Sequence, residues 1–416
     1  MNNLKKTVLN FLILSVFTVL YGTGGQNAPE RIILNLTATP STSMAVTWRT
    51  DMWCDNPRVE FMTATAEVNY PGNKTKSTEY SKIRSFPAVS EKVKVKEDIY
   101  VYSHSVILKG LAPDTLYQYR AGYGRTWSEW AHFRTSSDEE KPFRFIFLGD
   151  PQNLIKSFCS RVFRAAYSAA PDAEFIMVAG DLVTRPWEDS LWGELFYAAG
   201  WITRHIPFVM AAGNHSYYHE DSKEEVDNHQ HWLWRPHFTQ PENGPEGLDE
   251  TAFTYVHRGV RFVVLNGNEK RAGQAAWLEN ILLNCTLKWK IVMIHHPVYS
   301  TGLDRDDPEL RKLFLPVIDK YNVDLVLQGH DHAYGRTHKL KKGKVVSRED
   351  NGTYYVVSVS GPKAYELNKK HERLMAKLGT GLQLFQVISV DKNVITYESR
   401  TVTGELYDSF TIKKED

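Results

Sequence analysis

The chain reads as a multi-domain protein of mixed α+β and α/β class: an N-terminal β-sandwich, then an α/β domain. Three features predict this. Residues 28 to about 136 look all-β, with short β-rich runs set between turn residues. Ser136-Ser-Asp-Glu-Glu-Lys-Pro142 is polar, charged and closed by proline, which reads as a linker. From Phe143 onward, apolar runs of strand length alternate with segments of helical spacing. Such alternation predicts a mainly parallel sheet with helices on both faces.

The elements follow in order. Residues 1–25 read as a cleaved signal peptide: Lys5 and Lys6, a largely apolar run from Val8 to Leu20, then a small-residue patch ending at Gly25. The run is shorter than the roughly 20 residues a spanning helix needs. The expectation is export (periplasm, cell surface or medium), with no transmembrane span in the mature chain. In the sandwich, residues 26–136, strands are predicted at Ile32 to Ala38 and Met44 to Arg49, around the turn Pro40 to Ser43. Lys92-Val-Lys-Val-Lys96 alternates strictly, so two valines face inward and three lysines face water. His104 to Leu108, Leu111 to Tyr119 and Ser128 to Thr135 complete the set. The second domain, residues 143–416, has strand candidates at Phe143 to Leu148, Phe175 to Ala179, Phe208 to Ala211, Val260 to Leu265, Trp289 to Ile294 and Val323 to Leu327. Helices are predicted at Leu154 to Ala169, Trp187 to Thr203, Ala272 to Leu283 and Pro308 to Tyr321. A β-rich segment from about 340 to 416 closes the chain.

Composition narrows the function. With 42% hydrophobic and 24% charged residues the 416-residue chain is neither disordered nor a coiled coil. Net charge is +1, so nothing suggests a long nucleic acid as partner. Cys54, Cys159 and Cys285 are too few for a disulfide framework and read as buried small apolar residues. Sequons stand at Asn35, Asn73, Asn284 and Asn351.

Five short motifs stand at strand ends. They are Gly149-Asp150-Pro-Gln152, Gly180-Asp181, Gly213-Asn214-His215, His295-His296 and Gly329-His330-Asp331-His332. In an open α/β sheet, the loops beyond the carboxyl ends of strands meet at the ligand crevice. Two aspartates, an asparagine, several histidines and Gln152 therefore converge. Oxygen and imidazole donors of this kind suit Zn, Fe or Mn, not a thiolate site. Each glycine lets the backbone approach an ion or a phosphate closely.

This set resembles the calcineurin-like metallophosphoesterase superfamily, and more closely the purple acid phosphatases with an N-terminal fibronectin-like domain. Pro29-Glu-Arg-Ile, Ser43-Met-Ala-Val-Thr-Trp48 and Val357-Ser-Val-Ser-Gly-Pro362 fit the same family. The resemblance implies a fibronectin type III-like sandwich and a four-layer α/β/β/α domain. It implies two divalent or trivalent ions (Fe, Zn or Mn). Asp150 and His332 would hold the first, Asn214, His295 and His330 the second, and Asp181 would bridge both. His215 would assist the leaving group. Three positions depart from the family. Thr184 stands where purple members carry the tyrosine that binds ferric iron. Gln152 stands where many superfamily members have histidine, and its carboxamide oxygen is a candidate ligand to the first metal. Ser216 replaces the acid that usually follows Gly-Asn-His.

The function expected is an exported phosphatase that cleaves small phosphate monoesters with metal-bound hydroxide. Asp181 and His215 are the catalytic candidates. His215, His296 and Arg336, with Arg185, are candidate substrate contacts. The aromatic stretch from Ser216 to Glu250 is a candidate roof over the cleft or a packing cluster of its own. The alternatives are a diesterase acting on nucleotides or small diesters, and a catalytically weak surface binding protein.

Overall fold

The computed structural model describes residues 27–69, 72–73, 77–217 and 230–415. The signal-peptide segment and residues 218–229 of the aromatic stretch lie outside them. Among the described residues no helix is long and apolar enough to cross a membrane.

Two large sheets carry the molecule. The first has ten strands, in the order Leu406–Lys413, Val394–Thr401, Leu384–Asp391, Phe143–Leu148, Ile176–Val178, Phe208–Met210, Glu30–Asn35, Ser43–Thr50, Ile99–Lys109 and Val89–Lys96. The second has seven: Phe253–His257, Val260–Leu265, Trp289–Ile294, Leu325–Gln328, Tyr354–Val357, Tyr334–Thr337 and Met375–Gly379. Helices α1 (Ile155–Ala169) and α2 (Asp189–Ala199) pack on the outside of the first sheet, α3 (Arg271–Leu283) and α4 (Pro308–Lys320) on the outside of the second.

The alternation of side chains across a strand produces these layers. Phe145 and Phe147 point into the core between the sheets, while Ile146 and Leu148 of the same strand pack under the helices. Phe262 and Val264 face the inter-sheet core, Val263 and Leu265 face α3 and α4. The result is α/β/β/α. The helices therefore cover one face of each sheet, not both faces of a single sheet as the alternation predicts. A strand buried on both sides is apolar throughout, and its sequence does not say whether a helix or a second sheet lies over it.

The N-terminal region forms a sandwich between the far end of the ten-stranded sheet and a smaller sheet built on Arg58–Thr63 and Leu116–Tyr123. Val93 is buried as its alternation predicts. The front strands extend the sheet of the second domain: Glu30–Asn35 runs parallel to Phe208–Met210, in register at Asn35 and Phe208. Asn35 is fully buried. Its side chain donates to Phe208 O at 2.9 Å and accepts from Thr239 N at 3.1 Å, so this sequon is not a glycan site. An ion-pair knot adds to the join. Asp189, at the start of α2, accepts from Arg31 Nη1 at 2.6 Å and from Arg49 Nη1 at 2.7 Å. Cys54 and Cys159 are buried free thiols; Cys285 is half-exposed.

Candidate metal centre

The strands Phe143–Leu148, Ile176–Val178 and Phe208–Met210 lie side by side and parallel in one sheet; Trp289–Ile294 and Leu325–Gln328 do so in the other. Their carboxyl-end loops meet in one buried cluster. Two sets of ligand-type atoms form there, each within 4.8 Å of one another: Asp181, His295 and His330, and Asp150, Asp181 and His332. Asp181 belongs to both. Asn214 joins the first set, its Oδ1 2.9 Å from His330 Nδ1 and 3.1 Å from His295 Nε2. The Gln152 amide joins the second, its Nε2 3.1 Å from Asp181 Oδ2 and 3.0 Å from His332 Nε2.

Local structure aims these groups. Asp150, Asp181, His330 and His332 all take the left-handed backbone conformation, with φ of 40°, 46°, 74° and 47°. The left-handed turn brings backbone N–H groups onto the carboxylates. His330 N donates to Asp150 Oδ1 at 2.8 Å, and His215 N donates to Asp181 Oδ1 at 3.0 Å. His295 Nδ1 donates to Ala179 O at 2.6 Å, which fixes its tautomer and turns Nε2 toward Asp181 and Asn214. The glycines allow the packing: a Cβ on Gly329 or Gly213 would collide with the carboxylate of Asp150 or Asp181.

The electrostatics follow from burial. Burial, with the charge of Asp181 beside it, pushes the Asp150 carboxyl up to about 7 against the pull of His295. Asp181 is also buried, yet His295 and His215 hold it well below the usual carboxylate range. Burial works against charging His295, but Asp181 and Asp150 overcome it and raise the ring to about 9. Burial lowers His330 well below the ordinary value and His332 to about 3, so both are neutral, the form that ligates metal. Two buried carboxylates, neutral imidazoles and two amides form a pocket of oxygen and nitrogen donors. Gln152 Oε1 and His332 Nδ1 are buried there without partners. The nearest cysteine, Cys159, gives its thiol to Pro151 O at 2.8 Å. The donors fit two metal ions of the Zn, Fe or Mn kind.

The remaining candidates divide. His215 Nδ1 donates to Thr184 O at 2.6 Å, and its Nε2 lies 4.0 Å from Asp181 Oδ2. Thr184 thus enters the site through its backbone. His296 is buried, its ring 4.6 Å from that of His330. Arg336 is elsewhere engaged: it grips Asp408 with Nε at 2.6 Å and Nη2 at 2.9 Å and lies over Phe410. That ion pair removes it from the substrate contacts expected of it. Arg185 is half-exposed and paired with Glu188. In the aromatic stretch, Trp234 and Phe238 belong to the core under α2, and His237 stacks on Trp192 at 4.5 Å. In the described part of that stretch Leu233, Trp234 and Phe238 are packing residues, whereas Trp232 is exposed. The sequence motifs do not single out Arg305 or Tyr365, which the structure places against His330 and His332, or Lys363, which lies over the Tyr365 ring. Their one sequence signal is proximity: Arg305 follows His296 by nine residues, and Lys363 and Tyr365 directly follow the Val357–Pro362 segment.

A stacked two-sheet α/β/β/α fold with paired donor sets sharing one aspartate defines the class: a metallophosphoesterase with a dinuclear centre. Comparison with known proteins agrees. Residues 29–135 match the model of the purple acid phosphatase N-terminal domain, and residues 143–334 that of the calcineurin-like phosphoesterases. The chain is 27% identical to an uncharacterised protein of Mycobacterium tuberculosis over 78% of its own length and 65% of the relative's. It is 25% identical to Fe(3+)-Zn(2+) purple acid phosphatase 12 of Arabidopsis thaliana, over 58% of the chain and 53% of the relative. The chain thus spans about two thirds or less of these relatives. The structure of purple acid phosphatase PPD1 from yellow lupin superposes with a TM-score of 0.77 at 19% identity, covering 93% of this chain and 74% of that one. The chain is thus similar to the purple acid phosphatases over residues 29–135 and to the calcineurin-like phosphoesterases over residues 143–334.

Proposed function

We propose that the protein is an exported metal-dependent phosphatase that hydrolyses small phosphate monoesters. The observation that carries this is the Asp181 carboxylate, shared by two donor sets at the carboxyl ends of five strands. Asp150, Asp181, His332 and Gln152 would hold one ion, and Asp181, Asn214, His295 and His330 the other. A half-turn of the Gln152 amide turns its unpartnered oxygen toward Asp181 and His332, which suits it to the place left by the absent tyrosine. When bound, two such ions would neutralise phosphate charge and make water acidic enough to supply a nucleophile near neutral pH.

The chain's own residues do the rest. Asp181 keeps the two donor sets in register. His215 is held by its backbone N–H on Asp181 and its Nδ1–H on Thr184 O; in the doubly protonated ring, Nε2–H is the proton that passes to the departing alkoxide. Proton transfer of that kind is worth about 10²–10⁴-fold. His296 lines the same side as His330 and supports the phosphoryl group.

The test is metal content and turnover of a generic aryl phosphate, in the wild type and in Asp181→Asn. About two metals per chain, lost together with turnover in the variant, is the expected result. Unchanged metal and rate in Asp181→Asn would sink the assignment. A bis-aryl diester cleaved faster than the monoester would move the reading to a diesterase.

A further inference from the structure

Beside the metal centre stands a cationic corner that the ligand motifs do not account for. Arg305 Nη1 lies 3.3 Å from His330 Nε2, and its Nη2 donates to Tyr365 Oη at 3.0 Å. The guanidinium also lies over the Tyr365 ring at 4.8 Å. Lys363 Nζ lies over the same ring at 4.9 Å. Tyr365 in turn packs against His332, ring to ring at 5.0 Å, and its backbone N donates to His332 O at 3.2 Å. So one tyrosine carries two cations and rests on one donor set, while one of those cations touches the other set.

Both cations are half-buried. Among the described residues, neither has a carboxylate within 4.0 Å, whereas Arg31, Arg49, Arg311 and Arg336 are each paired with an aspartate. A half-buried cation without an anion is costly, and such a pair marks a place where an anion belongs.

The hydrogen-bond chemistry of His330 sharpens this. Its Nδ1 is the atom that faces Asn214 and His295, so it is the nitrogen aimed into the donor set. A neutral imidazole carries one N–H. With Nδ1 engaged as a ligand, the proton sits on Nε2, and Nε2 no longer accepts from Arg305. The guanidinium then keeps Tyr365 Oη and turns its other N–H groups to a different acceptor.

The loop that delivers Arg305 is braced. The carboxylate of Asp331, between His330 and His332, accepts from Thr301 N, from Thr301 Oγ1 at 3.0 Å and from Gly302 N at 2.9 Å. Leu303 N donates to Glu366 O at 2.8 Å, and Asn368 N to Thr301 O at 2.7 Å. Arg305 and Tyr365 are therefore tied to each other and to the metal-site turn. That preorganisation lets a donor act without rearrangement.

We infer that Arg305, with Lys363 and Tyr365, forms a phosphate clamp that holds the outward oxygens of the phosphoryl group seated on the metal centre. This rests on the proposed phosphatase reading and names the residues that recognise the phosphate dianion. Asp331 is a positioning residue for the clamp.

The experiment uses the full chain in its metal-loaded form, with inorganic phosphate as the probe. Calorimetry gives the dissociation constant, and inhibition of aryl phosphate turnover gives an independent value. Arg305→Gln is expected to weaken phosphate about 10–100-fold, the range of a lost charge-assisted hydrogen bond. KM should rise by a similar factor with a smaller change in kcat. Lys363→Gln should weaken phosphate less, and Arg305→Lys should recover part of the loss. Metal content should match the wild type in all three. Phosphate affinity within twofold of wild type in Arg305→Gln overturns the clamp. So does metal loss in that variant, which would make Arg305 a brace for the donor set. If the wild type turns over no ester yet binds phosphate in an Arg305-dependent way, the phosphatase reading fails and the clamp stands.

Discussion

Replacing Gly213 with alanine tests whether the site depends on close backbone approach. A Cβ at Gly213 would stand 2.8 Å from Asp181 Cγ, and nearer still to its Oδ1 and backbone N. Ordinary van der Waals contact begins at 3.4 Å. The shared carboxylate or the Gly213 turn must therefore shift by at least about 0.6 Å, and neither is the loose end of a long side chain. Displacements near 1 Å in a catalytic constellation cost on the order of 10²-fold. A tenfold or greater loss of kcat/KM is expected, with weakened metal retention. Forcing a methyl into a full site also costs stability, typically about 1–3 kcal/mol. The control is Gly273→Ala in α3, where a Cβ meets nothing within 4 Å. There alanine replaces a glycine in the first turn of the helix, which is worth up to about 0.5–1 kcal/mol in favour of the fold. Metal content, steady-state kinetics and denaturant midpoints of the two variants are the assay. Full activity and metal in Gly213→Ala would refute the reasoning, because the carboxylate would then tolerate the displacement.

Two further predictions concern the scaffold. Asp189 is held down to about 2: burial opposes its charge, but the hydrogen bonds and charges of Arg31 and Arg49 overcome that. A depressed carboxylate stabilises the fold above its unfolded value near 4 and loses that stabilisation as pH falls through about 2. The gap of nearly two units is worth about 2 kcal/mol. Asp189→Asn should therefore be less stable than wild type by at least that much at pH 7, with the difference shrinking between pH 4 and 2. A pH-independent difference in urea titrations would contradict it. Arg336→Gln should destabilise the fold by up to about 3–5 kcal/mol, because it leaves the buried Asp408 carboxylate without its cation and with Tyr334 Oη at 2.8 Å as its remaining donor. Its KM for a phosphate ester should stay within twofold of wild type; a tenfold rise would return Arg336 to the substrate.

What was legible in the sequence followed from periodicity and from strand-end chemistry. Runs such as Trp289–Ile294, apolar but for Lys290, have the length of a buried strand, and each is followed by a polar group that needs a reason to be there. That was enough to bring Asp150, Asp181, Asn214, His295, His330 and His332 together before any coordinate. Strands of mixed polarity were harder. Met375–Gly379, half-buried along its whole length, shows neither alternation nor an apolar run. Arg336 illustrates the same limit in the site. It follows the last motif by four residues, but it lies on the strand Tyr334–Thr337, which turns it toward Asp408. Arg305 is the converse, nine residues past His296 in a loop with no periodic pattern, brought back by the bonds that Thr301 and Gly302 donate to Asp331 and that Leu303 N donates to Glu366 O.

The backbone at the centre explains why these donors come with glycines. Asp150, Asp181, His330 and His332 are themselves in the left-handed region, which costs a non-glycine residue roughly 1–2 kcal/mol. Three of the four directly follow a glycine, and apart from Gly180, whose own φ is 101°, that glycine does not share the positive φ. Its work is to be small: Gly329 clears the Asp150 carboxylate, and Gly180 clears the His295 ring. The strained residues reach two things at once from that conformation, a side chain aimed inward and a backbone N–H on a neighbouring carboxylate. An extended residue at the same place would aim its side chain along the sheet. The arrangement is therefore held from outside the donor sets, by Asp331 on Thr301 and Gly302 and by Ala179 O on His295. On this reasoning, removing a metal should leave the fold near the centre in place, whereas removing the Asp331 carboxylate should loosen the turn that carries His330 and His332. Amide exchange at Thr301 and Gly302, measured with and without chelator and in Asp331→Asn, separates the two effects. Exchange that rises with chelator as much as in Asp331→Asn would mean that the metal builds the turn.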